Sequence, residues 1–278
     1  MKVKIWGARG SIPVTGPETA YYGGNTSCMD VWEDGWLLVL DGGSGIQKLA
    51  LKDPLEHKRI DVLLTHLHLD HIQGLGFFKQ LFDPFMEIHI WGPKSSTHSL
   101  HSRLSRYLSP PLFPVLIRDL PCKLTLHEIE NSVFEIGPFT VKSDYIIHPG
   151  PTVGYRIKGS YSTMTYMPDH EPALGPSGII RDTKWLSGFD LAAGADLLLH
   201  DAQYTAEEYP GKIGWGHSSI DDAGLFASLA GVKHILFAHH DPSRTDDQLN
   251  DIFSKFQESS SHSFTSGLAR EGMELSLK

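Results

Sequence analysis

Four side chains that bind transition metals lie within one short stretch of the chain. The segment THLHLDH, residues 65–71, contains His66, His68, Asp70 and His71 directly after an apolar run of strand length. Imidazole and carboxylate are common ligands of divalent metals, and histidine also serves in acid–base chemistry. If strand geometry continues into the segment, His66 and His68 project to the same side, and Asp70 and His71 come from the turn beyond. One loop would then donate ligands to two metal ions.

A single loop cannot complete two metal sites, so further ligands must come from other parts of the fold. Three polar residues follow other apolar runs, namely His148, Asp169 and His239. Each alone is more typical of a turn, but with the loop they make seven ligands. Seven are enough for three histidines on one metal, two histidines and Asp70 on the other, and Asp169 as a bridge. His240 directly follows His239 and is the alternative to it.

The patterning around these residues predicts many strands and few helices. The predicted strands are 2–6, 29–32, 36–40, 60–65, 87–91, 124–129, 133–136, 139–147, 153–157, 164–167, 197–199, 232–238 and 273–277. The predicted helices are 46–51, 94–107, 219–230 and one that begins at Thr245. For the third helix, Ser219 and Asp222 are spaced as a capping box and Gly231 is the stop. We therefore expect two sheets covered by helices in a single domain, residues 1–278.

Composition narrows the class of protein. The 278 residues carry a formal net charge of −9, which is unfavourable for gripping long nucleic acid over a whole surface. With only two cysteines, Cys28 and Cys122, no secreted disulfide framework is expected, and packing roles are favoured. No apolar run is long enough for a signal peptide or a membrane span, so we expect a cytoplasmic enzyme.

Eight short motifs follow one another along nearly the whole chain. They are GARGSIP (7–13), LDGGSGI (40–46), THLHLDH (65–71), HPGPTVGYRI (148–157), MPDHE (167–171), LLLHDAQY (197–204), GHSS (216–219) and FAHHDP (237–242). In this order they resemble the metallo-β-lactamase superfamily of binuclear hydrolases. The similarity is greatest to its phosphodiesterase branch, which contains tRNA 3′-processing ribonuclease Z and the cyclic-phosphate diesterase of phosphonate metabolism.

The resemblance implies an α/β fold, a four-layer αββα sandwich, and two divalent metal ions per chain. Zinc is the usual metal, and manganese or iron is the alternative. The ligands implied for one ion are His66, His68 and His148, and those for the other are Asp70, His71 and His239, with Asp169 bridging. It also implies attack by a metal-bridging hydroxide, and we count Asp70 among the catalytic residues.

A second cluster resembles the proton-handling residues of ribonuclease Z. Asp201 would orient His217, which would donate a proton to the leaving group, because an alkoxide needs one. Ser218 and Ser219 would begin the next helix, where Ser218 is a candidate for phosphate contact. Asp41 would support the metal loop from behind.

Further substrate-binding candidates are less specific. Arg9, Asn25 and Thr26 lie in Gly-rich loops that would border the site, and a structural role in turns is the alternative. The basic stretch 94–108 is either a lid over an anionic substrate or a solvated helix face.

We interpret the chain as a phosphodiesterase for a small nucleotide-like diester, with cyclic nucleotides favoured. Only about a dozen residues separate Ile157 from Asp169, where ribonuclease Z enzymes that clamp tRNA generally carry a long arm. We therefore expect a small anionic substrate, no membrane and no long nucleic acid as partners, with a homodimer left open. The alternatives are a ribonuclease Z-type endonuclease lacking the arm, a thioesterase or lactonase, and a non-catalytic metal-bound sensing module.

Overall fold

The computed structural model describes residues 1–49, 58–174, 179, 182–259 and 263–278. Within this part of the chain the strands form two sheets of seven strands each. The first sheet consists of β1 (Lys2–Gly7), β2 (Cys28–Glu33), β3 (Trp36–Leu40), β4 (Arg59–Leu63), β5 (Glu87–Pro93), β6 (Lys123–Ile129) and β14 (Glu274–Ser276). The second consists of β7 (Ser132–Ile136), β8 (Phe139–Tyr145), β9 (Val153–Lys158), β10 (Thr163–Met167), β11 (Leu197–Asp201), β12 (His234–Ala238) and β13 (Thr265–Leu268).

Each sheet combines an antiparallel half with a parallel half. The spatial orders are β14-β1-β2-β3-β4-β5-β6 and β13-β12-β11-β10-β9-β8-β7. Strands β3 to β6 are mutually parallel, as are β10 to β13. The carboxyl ends of parallel strands share one edge of a sheet, where ligand sites of α/β folds usually lie. The THLHLDH segment follows β4, Asp169 follows β10 and His239 follows β12, so these edges carry the candidate ligands.

Three apolar cores separate four layers. On β3, Leu38 and Leu40 face the core between the two sheets, whereas Leu37 and Val39 face the helices and turns outside the first sheet. Side chains alternate along a strand, so a strand covered on both sides is apolar throughout. On β12, Phe237 likewise faces the helices outside the second sheet. The expected αββα sandwich is confirmed.

The helices in the described residues are mostly short. They are α1 (Leu69–Ile72), α2 (Leu100–Leu104), α3 (Phe189–Ala192), α4 (Ile220–Ala230) and α5 (Asp246–Ser259). The predicted ends of α4 are confirmed: the Ser219 hydroxyl accepts the Asp222 N–H at 3.0 Å, and Gly231 ends the helix in the left-handed conformation at φ 63°. None of the described helices combines the length and apolar character that a bilayer crossing requires.

Two helix predictions differ from the structure. The helix predicted over 94–107 contracts to α2, because Ser99 caps its start and its apolar face consists of only Leu100 and Leu104. Arg103 pairs with Glu128 at 3.8 Å, so this segment packs on the first sheet, and the structure gives no support to a lid. The helix predicted over 46–51 is a 3-10 helix at Ser44–Lys48, and residues 50 and 51 lie outside the described residues.

Strand β13 was not among the predicted strands, because it is short, follows a Ser-rich stretch and has a single buried residue. Strands β2 and β3 form a hairpin at Asp34-Gly35, and both turn residues have positive φ, 48° and 80°. Cys28 and Cys122 are free and buried, as expected for packing residues.

Candidate metal centre and active site

The seven predicted ligands converge in two groups at the facing edges of the sheets. In each group the ligand atoms all lie within 4.8 Å of one another. The groups are His66, His68 and His148, and Asp70, His71, Asp169 and His239. Except for His68, which is exposed, these side chains are buried. Side chains separated by as many as 173 positions in the chain therefore surround one small polar space.

The THLHLDH segment does not continue as a strand. Strand β4 ends at Leu63, and α1 contains both Asp70 and His71 with His68 at its N-cap. His66 and His68 do reach the same group, as predicted. Strand geometry is not the cause, so that part of the prediction is wrong. The turn of helix is what directs Asp70 and His71 toward the second sheet.

Hydrogen bonds to Nδ1 of three histidines orient their rings so that Nε2 faces the pocket. Nδ1 of His71 contacts Oδ2 of Asp41 at 2.8 Å, and Nδ1 of His148 contacts the Gly216 carbonyl oxygen at 2.8 Å. Nδ1 of His239 contacts the Gln203 side-chain oxygen at 3.1 Å. An acceptor at Nδ1 places the ring proton there and leaves Nε2 free to ligate a metal. This arrangement is typical of metal-binding histidines.

Asp41 organises the loop behind the ligands. It is fully buried, with φ 59°, and it accepts the Thr65 N–H at 2.8 Å and the Thr65 hydroxyl at 2.9 Å. The Thr65 hydroxyl in turn lies 3.1 Å from Nδ1 of His66. One carboxylate thus orients His71 directly and His66 through a hydroxyl, as the sequence analysis expected of a residue supporting the metal loop.

Unpartnered polar atoms indicate what the pocket is built to hold. Nε2 of His66 is buried and makes no hydrogen bond, and the buried Nε2 of His71 and Oδ1 of Asp169 lie 2.9 Å apart without the geometry of one. Such atoms are rare in folded proteins unless they bind an ion or water. Nε2 of His148 lies 3.1 Å from Nδ1 of His68, and Nε2 of His239 lies 3.3 Å from Oδ2 of Asp70. Ligand atoms of a tetrahedral zinc ion are roughly 3.3 Å apart. The residues therefore fit divalent metal ions.

The electrostatics of the pocket favour added positive charge. Burial would lower the pKa of His239, but Asp169 and Asp70 outweigh it and raise that pKa to about 10. Burial likewise opposes the charged form of His71, and Asp169 and Asp70 nevertheless hold its pKa well above the usual range. Burial lowers the pKa of His148 to about 4. Two histidines thus carry protons that a divalent cation would replace.

His217 and Asp201 lie beside the predicted metal ligands. Nδ1 of His217 contacts Oδ2 of Asp201 at 2.6 Å, while Oδ1 of Asp201 accepts the Ser218 N–H at 2.9 Å. The His217 ring stacks on His239 with centroids 4.8 Å apart and meets the edge of His148 at 5.0 Å. The pair is therefore next to the pocket, with Nε2 of His217 as the free ring nitrogen.

The four candidate substrate contacts have structural partners instead. The Arg9 guanidinium is fully buried and donates to the carbonyls of Gly23, Asp241 and Arg244. The Asn25 amide binds Glu271, the Thr26 hydroxyl accepts from the Ser44 and Gln73 nitrogens, and the Ser218 hydroxyl donates to the His170 carbonyl. These bonds, with the burial of Arg9, favour structural roles over substrate contacts for Arg9, Asn25, Thr26 and Ser218.

The neighbouring histidines are directed away from the ligand groups. Nε2 of His240 donates to the Ala269 carbonyl at 2.8 Å, and His240 belongs to none of the candidate ligand groups. Nδ1 of His170 contacts His200, another fully buried ring, at 2.8 Å. Adjacent residues point in opposite directions, so His239 rather than His240 reaches the pocket.

Sequence reasoning missed three residues that shape the site. Gln203 orients His239, and its position in the motif LLLHDAQY was the only local signal. A Cβ on Gly10 would lie 2.3 Å from Nδ1 of His239, so this position admits only glycine. Glu171 is fully buried, and its carboxylate accepts the N–H groups of Gly214 and Gly216, just before His217.

Comparisons with known proteins agree with this site. A model of the β-lactamase superfamily domain matches residues 38–240, which include all seven predicted ligands. Because the match covers well over half of the chain, the chain belongs to the metallo-β-lactamase superfamily. It is a metal-dependent hydrolase with a site for divalent metal ions.

Curated relatives include two ribonuclease Z proteins. That of Thermoplasma volcanium is 25% identical, covering 93% of this chain and 94% of the relative. That of Streptococcus gordonii is 30% identical, covering 72% of this chain and 78% of the relative.

Solved structures share the fold at lower identity. The metallo-β-lactamase fold protein YhfI from Bacillus subtilis has a TM-score of 0.69 and 21% identity over 99% of this chain and 98% of its own. A diphosphatase from the PhnP family has a TM-score of 0.69 and 18% identity, covering 100% of this chain and 98% of its own. The short form of human tRNase Z has a TM-score of 0.67 and 20% identity over all of both chains.

Proposed function

We propose that this chain is a binuclear zinc phosphodiesterase that hydrolyses a small nucleotide-like diester, with cyclic nucleotides as the favoured class. The donor set of imidazole nitrogens and carboxylate oxygens suits zinc, and manganese or iron is the alternative. His66, His68 and His148 would hold one ion, Asp70, His71 and His239 the other, and Asp169 would contact both.

In the proposed reaction, water adds to phosphorus, one ester P–O bond breaks, and the diester becomes a monoester and an alcohol. When bound, the ions would polarise the water and the phosphoryl oxygens. The water releases a proton to solvent and the leaving oxygen needs one. In its protonated form His217 carries that proton on Nε2, and Asp201 holds the ring in place through Nδ1.

The contact between His217 and Asp201 is the observation that carries this proposal. Neither residue is needed to complete the seven ligands, yet Asp201 is fully buried and aligns His217 beside His148 and His239. An ester with an alkoxide leaving group requires a proton donor, whereas a thioester has a good leaving group and gains less from one. A phosphodiester therefore accounts for the pair better than a thioester does.

A small substrate is supported by the second sheet. Strands β9 and β10 are joined by a tight turn in which the Gly159 N–H donates to the Ser162 carbonyl at 2.9 Å. The chain therefore extends no arm between Lys158 and Thr163. Its net charge of −9 also disfavours binding the many phosphates of a tRNA.

The second candidate is a ribonuclease Z-type endonuclease that works without the arm. The observation that favours it is the set of curated relatives, since the two described above are both named ribonuclease Z. The same ligands and the same proton donor would serve a diester within RNA, so the two candidates differ in substrate size and not in chemistry.

One panel of substrates separates the candidates. Purified protein of known metal content is assayed with 3′,5′-cyclic mononucleotides, linear dinucleotides, a pre-tRNA and an acyl thioester, and kcat/KM is compared. We expect cyclic nucleotides and short diesters to be turned over faster than pre-tRNA. Efficient pre-tRNA cleavage without turnover of small diesters would establish the endonuclease instead, and turnover of the thioester alone would reject both.

A further inference from the structure

An exposed tryptophan stands on the loop that leads into His217. Trp215 is 55% exposed, although a large indole normally buries most of its surface. The Lys212 ammonium lies 4.0 Å from the centroid of its ring, within the range of a cation–π contact. One face of the indole is thus covered by a positive charge.

This pair is continuous with the active site. The Lys212 ammonium also lies 5.8 Å from the ring of Tyr204, and the Tyr204 ring meets the edge of His217 with centroids 5.9 Å apart. Trp215 is two residues from His217, so their α-carbons are at most roughly 7 Å apart. The intervening Gly216 carbonyl binds the candidate ligand His148. Tyr204 and Trp215 therefore form an aromatic surface next to the candidate metal pocket.

Glu171 fixes the loop that carries Lys212 and Trp215. The buried Glu171 carboxylate accepts the Gly214 and Gly216 N–H groups at 2.9 and 2.8 Å, and the Tyr209 hydroxyl at 2.8 Å. Gly216 has φ 85°, and a Cβ there would lie 2.4 Å from Nδ1 of His148. Hydrogen bonds to Glu171 thus fix the backbone on both sides of the exposed indole. Such preorganisation lowers the entropic cost of binding a ligand.

Resting on the proposed function, we propose that Trp215 and Lys212 form the nucleobase subsite of this enzyme. The base of a nucleotide diester stacks on the indole face opposite Lys212 while its phosphate occupies the metal pocket. The ammonium adds positive charge on the path of the anionic substrate. The substrate class is then a phosphodiester that bears an aromatic base, rather than any small diester.

Two esters with the same leaving group test this subsite. Thymidine 5′-(p-nitrophenyl phosphate) carries a base, and methyl p-nitrophenyl phosphate does not. Trp215→Ala should lower kcat/KM for the thymidine ester by roughly tenfold, within the range of base–aromatic stacking, and leave the methyl ester unchanged. Trp215→Phe should restore most of the loss. Tyr161→Ala is the matched control, because Tyr161 is an exposed ring (88%) in the turn before β10, at the end opposite Asp169.

Binding measurements judge the subsite independently of turnover. Calorimetry with adenosine 5′-monophosphate and with methyl phosphate should show weaker binding of the nucleotide alone in Trp215→Ala. Equal losses for both ligands, or none, would overturn the nucleobase subsite and leave the phosphodiesterase proposal intact. If the wild type hydrolyses neither ester, the proposed function fails, and nucleotide binding that depends on Trp215 would still uphold the subsite.

Discussion

Oδ2 of the buried Asp201 lies 2.6 Å from Nδ1 of His217, and the His217 ring stacks on His239. His217 therefore links a buried carboxylate to a candidate metal ligand. The contact at Nδ1 leaves Nε2 as the only ring atom able to exchange a proton with substrate. Position and partner thus define a proton donor beside the metal pocket, and the dependence on leaving group follows from it.

Replacing His217 should penalise poor leaving groups selectively. His217→Ala should lower kcat by roughly 10²–10⁴-fold on a cyclic nucleotide, which releases an alkoxide. It should lower kcat far less on bis-p-nitrophenyl phosphate, which releases a stabilised phenolate. Asp201→Asn should give the same pattern more mildly, and His101→Ala, an exposed histidine on α2, should give neither loss.

The metal content of these variants is the control. His217→Ala should keep the metal stoichiometry of the wild type. Equal losses on both esters would assign His217 to phosphate binding, and a loss of metal would make it a ligand.

Removing Asp169 should empty the centre. Its carboxylate lies 2.9 Å from Nε2 of His71 and 3.1 Å from Nε2 of His239, and 3.8 Å from Nε2 of His66 in the other group. We expect about two equivalents of metal in the wild type by elemental analysis and a clear loss in Asp169→Ala. Asp119→Ala, an exposed carboxylate, is the control. One equivalent with full wild-type activity would argue against the binuclear centre.

Metal uptake should depend on pH differently in the two ligand groups. The pKa of His239 is about 10 and that of His71 is held well above its usual range, so at pH 7 metal binding must displace their protons. Affinity at this group should therefore rise about tenfold per pH unit for each proton displaced. The pKa values of His66 and His148 are lowered, chiefly by burial, so their group is already neutral at pH 7.

Calorimetry of the metal-free protein in buffers of different ionisation enthalpy measures this difference. At pH 7 we expect one class of site to bind zinc with release of protons from the protein and the other with little release. Two classes of site with the same pH dependence would contradict the assignment of protons to His71 and His239.

Asp41 should tune metal affinity without touching the metal. Asp41→Asn keeps the shape and tolerates the positive φ, but it weakens the acceptor that holds Nδ1 of His71. Loss of such an outer partner typically lowers metal affinity by about 10–100-fold. Competition with a chromophoric chelator measures it. Asp30→Asn, another buried aspartate in the first sheet, should leave the affinity unchanged, and an unchanged affinity in Asp41→Asn would reject the role.

Local signals in the chain were sufficient for the layered fold and for the core of the site. The apolar runs at 36–40 and 232–238 predict strands, and the spacing of Ser219, Asp222 and Gly231 predicts both ends of α4, because these effects act between near neighbours. The dense run from His66 to His71 predicts a metal-binding loop for the same reason, since side chains so close in sequence must remain close in space.

Tertiary structure decided which way the remaining side chains point. Arg9, Asn25 and Thr26 were candidates because of their Gly-rich loops, and Ser218 because it lies at the start of a helix. Their hydrogen-bond partners lie up to 246 positions away and hold them in the scaffold. Glu171 and Gln203 matter for the opposite reason, since the loops after the neighbouring strands β10, β11 and β12 bring them against Gly216 and His239. The direction of a loop side chain depends on long-range partners, and only the packed sheets supply those.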